Sequence, residues 1–174
     1  MGVKGDGIIM EVIVEEVGYV KPPPHMSNKT HHLYLSSLDL FWREFTYNRR
    51  LLFYVSSESS GGGGGGEDHQ LQDCIVRKLK LSLSETLRLF YPLAGRLFSG
   101  HDGRLSIDCS DSNLRGVEFV VASVGSPLSH AFPDNDFPPC HNFDNLVKES
   151  PVAVIDGHHP NINDLPLLSI QVDF

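Results

Sequence analysis

Cysteine is scarce in this chain of 174 residues: Cys74, Cys109 and Cys140 are far apart, odd in number and in no CxxC arrangement. That pattern excludes a disulfide framework and a structural zinc site, and it fits a reducing compartment. Positive charge is in the minority, with 14 Lys and Arg against 22 Asp and Glu and a formal net charge of −8. Such a balance gives no broad attraction to phosphate backbones or anionic lipid, so neither nucleic acid nor a membrane is expected as a partner. The one basic cluster, Arg43 to Arg50, holds three arginines and a glutamate. The opening MGVKGDGIIM lacks the apolar core of a signal peptide, and Asp6 stands where a myristoylation signal needs Ser or Thr. A cytoplasmic address is therefore the expectation.

The composition that remains, 40% hydrophobic and 21% charged, is that of a chain able to bury one core. Residues 8–20, IIMEVIVEEVGYV, are rich in β-branched side chains and predict a strand, although the alternation of Val12, Val14 and Val17 is imperfect. Leu33 and Leu35 predict a short strand, after which Ser36 or Ser37 can cap a helical turn carrying Leu38, Phe41, Trp42 and Phe45. LLFYV, residues 51–55, predicts a buried strand.

Between residues 56 and 70 lies a low-complexity stretch with six consecutive glycines, read as a flexible surface loop because ordering them costs much backbone entropy. Glycine-rich loops also cradle phosphates, but only when a GK[ST] signature follows, and none does. From Leu71 to Phe90 the residues Ile75, Val76, Leu79, Leu83, Leu87 and Phe90 recur at helical spacing, and Pro92 limits the helix. Ser82-Leu-Ser-Glu85 fits a capping box, so a restart near Ser82 is the alternative to one long helix.

Asp102-Gly103 between two short apolar runs predicts a hairpin, and VEFVVAS, residues 117–123, a further strand. Residues 124–166 read as mostly loop. In PLLSIQVDF, residues 166–174, Leu168, Ile170, Val172 and Phe174 alternate with polar residues in strict period two, so a strand is still running at Phe174.

Six blocks then stand out in order: LYLSSLDLFW (33–42), LLFYV (51–55), LKLSLSETLRLFYPLAGRL (79–97), DGRLSIDCSD (102–111), GVEFVVAS (116–123) and LPLLSIQVDF (165–174). Together they resemble the N-terminal part of the plant BAHD acyltransferases. The resemblance implies an α/β fold: an incomplete chloramphenicol-acetyltransferase-like N-terminal domain over residues 10–174, with a mixed sheet and a long packed helix. It leaves residues 1–9 as an extension, leaves open whether Met1 or Met10 begins the protein, and implies that the C-terminal domain is absent. Members of the family transfer an acyl group from acyl-CoA, as co-substrate, to a hydroxyl or amine of a small plant metabolite. The complete enzyme is expected to be a monomer with no bound cofactor.

In that family the general base is the histidine of an HxxxD motif reached just after the QVDF-like strand; imidazole suits the task because it titrates near neutrality. A second motif, DFGWG, lies far along the other half. The resemblance therefore implies that neither motif falls within these 174 residues, that no catalytic residue is present, and that the chain alone is inactive. The alternative is a non-enzymatic binding or regulatory protein that keeps the half-fold and pairs through the strand edge at Leu168–Phe174.

Four local candidates compete with that reading. GHHPNIND, residues 157–164, spaces His158 and His159 six and five residues from Asp164, where HxxxD requires four, and it precedes the QVDF strand. It reads as a loop, and as a metal site it lacks a third-ligand pattern. Cys140-His141 reads as chance adjacency rather than a nucleophile with its base. Tyr91, Gly95 and Arg96 of YPLAGRL read as structural, at a helix stop and a close-packed strand entry. The resemblance maps the acceptor side of the channel to Thr46, Tyr47 and Arg49.

Overall fold

The computed structural model describes residues 11–24, 30–41, 48–54, 66–125, 143, 146 and 165–174. The elements are β1 (Val12–Val20), β2 (His32–Tyr34), α1 (Ser37–Phe41), α2 (Gly66–Thr86), a 3-10 turn (Tyr91–Ala94), β3 (Arg96–Ser99), β4 (Leu105–Asp108), β5 (Val117–Val124) and β6 (Ser169–Asp173). They form two three-stranded sheets, β1-β5-β6 and β2-β4-β3. In the first, β1 runs antiparallel and β6 parallel to β5, so this sheet is mixed as expected; the second is antiparallel.

The imperfect alternation of β1 has a structural cause. The register slips between Val14 and Glu16, a bulge that resets the phase so that Val12, Val14 and Val17 oppose Val124, Ala122 and Val120 on one face. Central β5 is buried from Val117 to Ala122, which is why its sequence is nearly continuous in apolar residues.

Helix α2 covers the other face. Val76, Leu83 and Leu87 pack with Val20, Val117, Phe119 and Val121, joined by Ile170, Val172 and Phe174 from the β6 side. Lys80 completes the row: its Nζ bonds both Glu16 oxygens at 2.7 and 2.9 Å and lies 5.4 Å from the centre of the Phe119 ring. Its stem covers apolar surface while its charge is held at the edge. Ser84 Oγ donates to the Lys21 carbonyl at 2.7 Å, fixing the helix to the end of β1.

Three expectations need correction. The helix begins at Gly66, so residues 66–70 are its first turns and not loop; from Glu67 onward the composition is of helix formers. Residues 55–65 of the glycine-rich segment lie outside the described residues. At the other end the helix stops at Thr86, whose Oγ1 bonds back to the Ser82 carbonyl, and a turn over 87–89 leads into the 3-10 segment that holds Pro92. It runs unbroken through Ser82. Finally, residues 51–54 form no strand, and Leu52 and Tyr54 are 74% and 84% exposed. An apolar run specifies a wish to be buried, but a strand also needs a free ladder edge, and no described strand pairs with this segment. Leu51 packs with Val12, Val124, Phe143 and Leu146, and the Phe53 and Phe143 rings sit 5.3 Å apart.

The hairpin is as expected. Gly103 adopts φ of 75°, a conformation that glycine takes without a Cβ penalty, and its amide donates to the Gly100 carbonyl at 2.9 Å. Asp102 accepts from the Arg104 amide at 3.1 Å. Among the described strands β1 and β6 are the edges of their sheet, and all five residues of β6 are half-buried, with Ile170 and Val172 on the α2 side.

Candidate functional site

Short-range bonding places α1. The Ser36 amide and hydroxyl donate to Asp39 Oδ2 at 2.8 and 2.7 Å, while the Asp39 amide donates back to Ser36 Oγ at 3.3 Å. This reciprocal cap, with Asp in place of the usual Glu, holds the Asp39 carboxyl below its ordinary pKa, chiefly through the Ser36 side chain. Directly before it, β2 pairs with β4, and the Leu35 amide continues the pairing to the Leu105 carbonyl at 3.1 Å.

The turn from β2 into α1 and the tip of the β3–β4 hairpin thereby face each other across an open groove of about 390 Å³, lined by Tyr34, Leu35, Leu40, Gly103, Arg104 and Leu105. Three leucines form an apolar lining, Tyr34 is 70% exposed, and the one cation, Arg104, has its Nε 3.5 Å from Asp102 Oδ2. A groove of this size and make-up can hold a small amphipathic molecule. Its lining contains no histidine or carboxylate that could act as a general base near neutrality.

Of the residues assigned by resemblance only Arg49 is described. Thr46 and Tyr47 lie outside the described residues, and Arg49 is exposed and not part of the groove lining. GHHPNIND and the Cys140-His141 pair also lie outside the described residues. Among the described residues no group of three or more His, Cys, Asp or Glu is placed to hold a metal ion, and no helix is long and apolar enough to cross a membrane.

The expectation that HxxxD is absent has to be narrowed. The bare spacing occurs twice, at His69–Asp73 and at His130–Asp134. His69 and Asp73 lie one turn apart on α2 and are both exposed, and the pair comes before β6 instead of after it; His130–Asp134 lies outside the described residues. Neither occurrence follows the QVDF strand, which is what gives the family's motif its place.

YPLAGRL is structural, as expected. Arg96 is only 2% exposed, and its guanidinium donates to the Gly95 and Gly116 carbonyls at 2.8 and 2.9 Å and lies 5.6 Å from the Tyr19 ring centre. One side chain thus ties the second sheet to β1 and to the start of β5. A Cβ on Gly95 would meet the Asp108 carbonyl oxygen at 2.7 Å, so no larger residue fits without movement. The Tyr91 hydroxyl accepts from the Thr30 amide at 2.9 Å.

Two further carboxyl groups, Asp108 and Asp173, are perturbed in opposite directions. Burial opposes ionisation of Asp108, but the Ser110 amide at 2.8 Å, the Asn113 side chain at 2.6 Å and the charge of His32 together hold its pKa below the ordinary value. Burial pushes Asp173 up, against the Gln171 amide that donates to it at 2.7 Å. Sequence reasoning passed over the Asp108 network, although Asp-x-Ser with a following Asn is the composition of a side-chain-closed turn. It also passed over the groove, whose lining comes from two segments about seventy residues apart in a chain of 174.

The two sheets and the covering helix make a mixed α/β arrangement, and the comparisons give the class of protein it belongs to. The chain matches the Transferase family over residues 10–174, and it belongs to that family, whose relatives here are BAHD acyltransferases. It is 30% identical over 166 residues to BAHD acyltransferase DCR of Arabidopsis thaliana, covering 94% of this chain and 32% of that protein. To limonoid 7-O-acetyltransferase of Citrus sinensis it is 36% identical over 134 residues, covering 74% of this chain and 27% of that one. The solved structure of vinorine synthase superposes with a TM-score of 0.53 at 24% identity, over 94% of this chain and 35% of that one, which shows the shared fold. The chain thus spans about a third of the length of these relatives.

Proposed function

We propose that these residues are the N-terminal part of an enzyme that transfers an acyl group from a coenzyme A thioester to a hydroxyl or amine of a small plant metabolite. The observation that carries this is the family match running from residue 10 to residue 174 without leaving out any of the six blocks. The activities for which relatives are named support the chemistry: one is a hydroxycinnamoyl-CoA:5-hydroxyanthranilate N-hydroxycinnamoyltransferase from Avena sativa, another a 13-hydroxylupanine O-tigloyltransferase from Lupinus albus. One acylates nitrogen and the other oxygen, so acceptor identity is open while acyl transfer is shared.

In this reading the groove between β2–α1 and the hairpin contributes to the acceptor side, with Thr46, Tyr47 and Arg49 following it in the chain. The general base is supplied by an HxxxD histidine encoded beyond Phe174, and the reaction takes place in the cytoplasm without a bound cofactor. Losing a general base alone costs about 10²–10⁴ in rate, so residues 1–174 by themselves do not turn over substrate. Sequencing the transcript past the codon for Phe174 tests this. An in-frame HxxxD shortly downstream is expected; a stop codon at that place would overturn the reading that the base belongs to the same polypeptide.

One observation favours a second reading. β6 is paired on one side only among the described strands, so its outer backbone edge can accept another strand. A non-enzymatic binding protein built on this edge would be monodisperse and melt cooperatively at 174 residues. A piece of a larger domain would instead bind hydrophobic dyes and melt broadly.

A further inference from the structure

The backbone of β6 and its flanks has one bonded side and one open side. The Leu168 carbonyl accepts from the Glu118 amide at 3.3 Å, the Phe174 amide donates to the Ala122 carbonyl at 3.0 Å, and the Phe174 carbonyl accepts from the Val124 amide at 2.9 Å. The register against β5 runs without a shift from Ser169 to Asp173, so the even-numbered residues direct their backbone groups to β5 and those of Ser169, Gln171 and Asp173 point the other way. No described strand takes them up. The usual guards of an open edge are missing here. β1, at the far side of the sheet, has a bulge and the Glu16–Lys80 pair, whereas residues 167–174 include no lysine, arginine or proline and no bulge interrupts β6.

Helix α2 adds an apolar flank to that edge. Lys80 and Ser84 reach Glu16 and Lys21 on the β1 side, and Val76, Leu83 and Leu87 face the sheet. The helical period then sends Ile75 and Leu79 to the opposite flank, toward β6, where both are exposed. The strand itself is nearly palindromic about Gln171. In an antiparallel pair of two copies centred there, Ile170 stands opposite Val172 and Leu168 opposite Phe174, while Asp173, the one charge of the strand, stands opposite Ser169 and not opposite its own copy. We propose that β6 is a dimerisation edge of this chain: two copies pair β6 to β6 about a two-fold axis at Gln171, forming one continuous sheet, with Ile75 and Leu79 of both α2 helices packed over the junction. The pairing is independent of acyl transfer.

Sedimentation equilibrium and native-state hydrogen exchange of the 174-residue chain, from low to high micromolar concentration, test the edge together. The mass should rise from one chain to two and stop there. Over the same range the Ser169, Gln171 and Asp173 amides should gain about ten-fold in protection, as bonds formed only in the dimer do, while the Phe174 amide, already bonded to Ala122, should change little. Gln171→Pro removes an outward N–H and no bond to β5, so it should leave the chain folded and monomeric at every concentration. Leu79→Glu leaves the β6 backbone untouched and should weaken the dimer by about ten-fold or more, which keeps the test decisive if proline disturbs the strand. A chain monomeric throughout, assembly that grows past the dimer, outward amides already protected in the monomer by another segment of the chain, or a dimer indifferent to either variant would each overturn the proposal.

Discussion

Gly95 is the residue at which geometry leaves least room. The Asp108 carbonyl oxygen and Ile107 Cγ2 stand 2.7 and 2.9 Å from where its Cβ would be, and the backbone of β4 cannot retreat without disturbing Arg96. Gly95→Ala should lower stability by about 1–3 kcal/mol, the usual cost of overpacking, seen as a fall in Tm of roughly 2–10 °C. Asp108 and Asp173 give opposite pH signatures. Asp108 is depressed, so its contribution is present above the ordinary carboxyl pKa and lost as pH falls through the folded value. Asp173 is raised, so the native chain holds a proton that the unfolded chain has released, and its contribution declines as pH rises through that window. Asp173→Asn should therefore raise Tm at about pH 7 and leave it nearly unchanged at about pH 3, while Asp108→Asn should lower it at neutral pH and make acid unfolding shallower. Melting curves across that range decide both.

At the scale of elements, the strands and helices with a strong local signal were legible in the sequence, and those that depend on distant partners were not. β1, the hairpin and β5 follow from β-branched runs and from Asp102-Gly103, and α2 from its 3.6-residue period. The bulge near Glu15 could be sensed only as broken alternation, because its meaning depends on the register against β5. The segment 51–54 has a strand's composition but pairs with no described strand, which a single stretch of sequence cannot reveal. Truncating Leu52, 74% exposed, to Ala should change stability by less than about 0.5 kcal/mol, whereas Leu87→Ala, at 1% exposed, should cost about 2–5 kcal/mol. Chemical denaturation of the two variants separates a buried strand from the exposed segment seen here. The cap of α1 was visible as Ser36 or Ser37, and the structure selects Ser36. Ser36→Ala should open α1 about five-fold more often, as hydrogen exchange at the Leu40 amide, bonded to the Ser36 carbonyl at 3.0 Å, would record.

For the whole molecule, family membership was the most legible feature, carried by six short blocks whose order matters more than any single one. The candidate site was the least legible. Its groove joins a turn near residue 35 to a hairpin tip near residue 104, and sequence spacing alone does not bring those segments together. HxxxD shows the same limit from the other side: the spacing occurs at His69–Asp73, yet those residues are exposed on α2 and precede the QVDF strand. The proposal that the general base lies outside these residues is tested most directly by acyl transfer with the purified 174-residue chain. With an acyl-CoA and a panel of hydroxyl and amine acceptors, release of free coenzyme A should stay at the rate of the protein-free control. Turnover above that control, removed by His69→Ala or by His130→Ala, would contradict the account and locate a base within these residues.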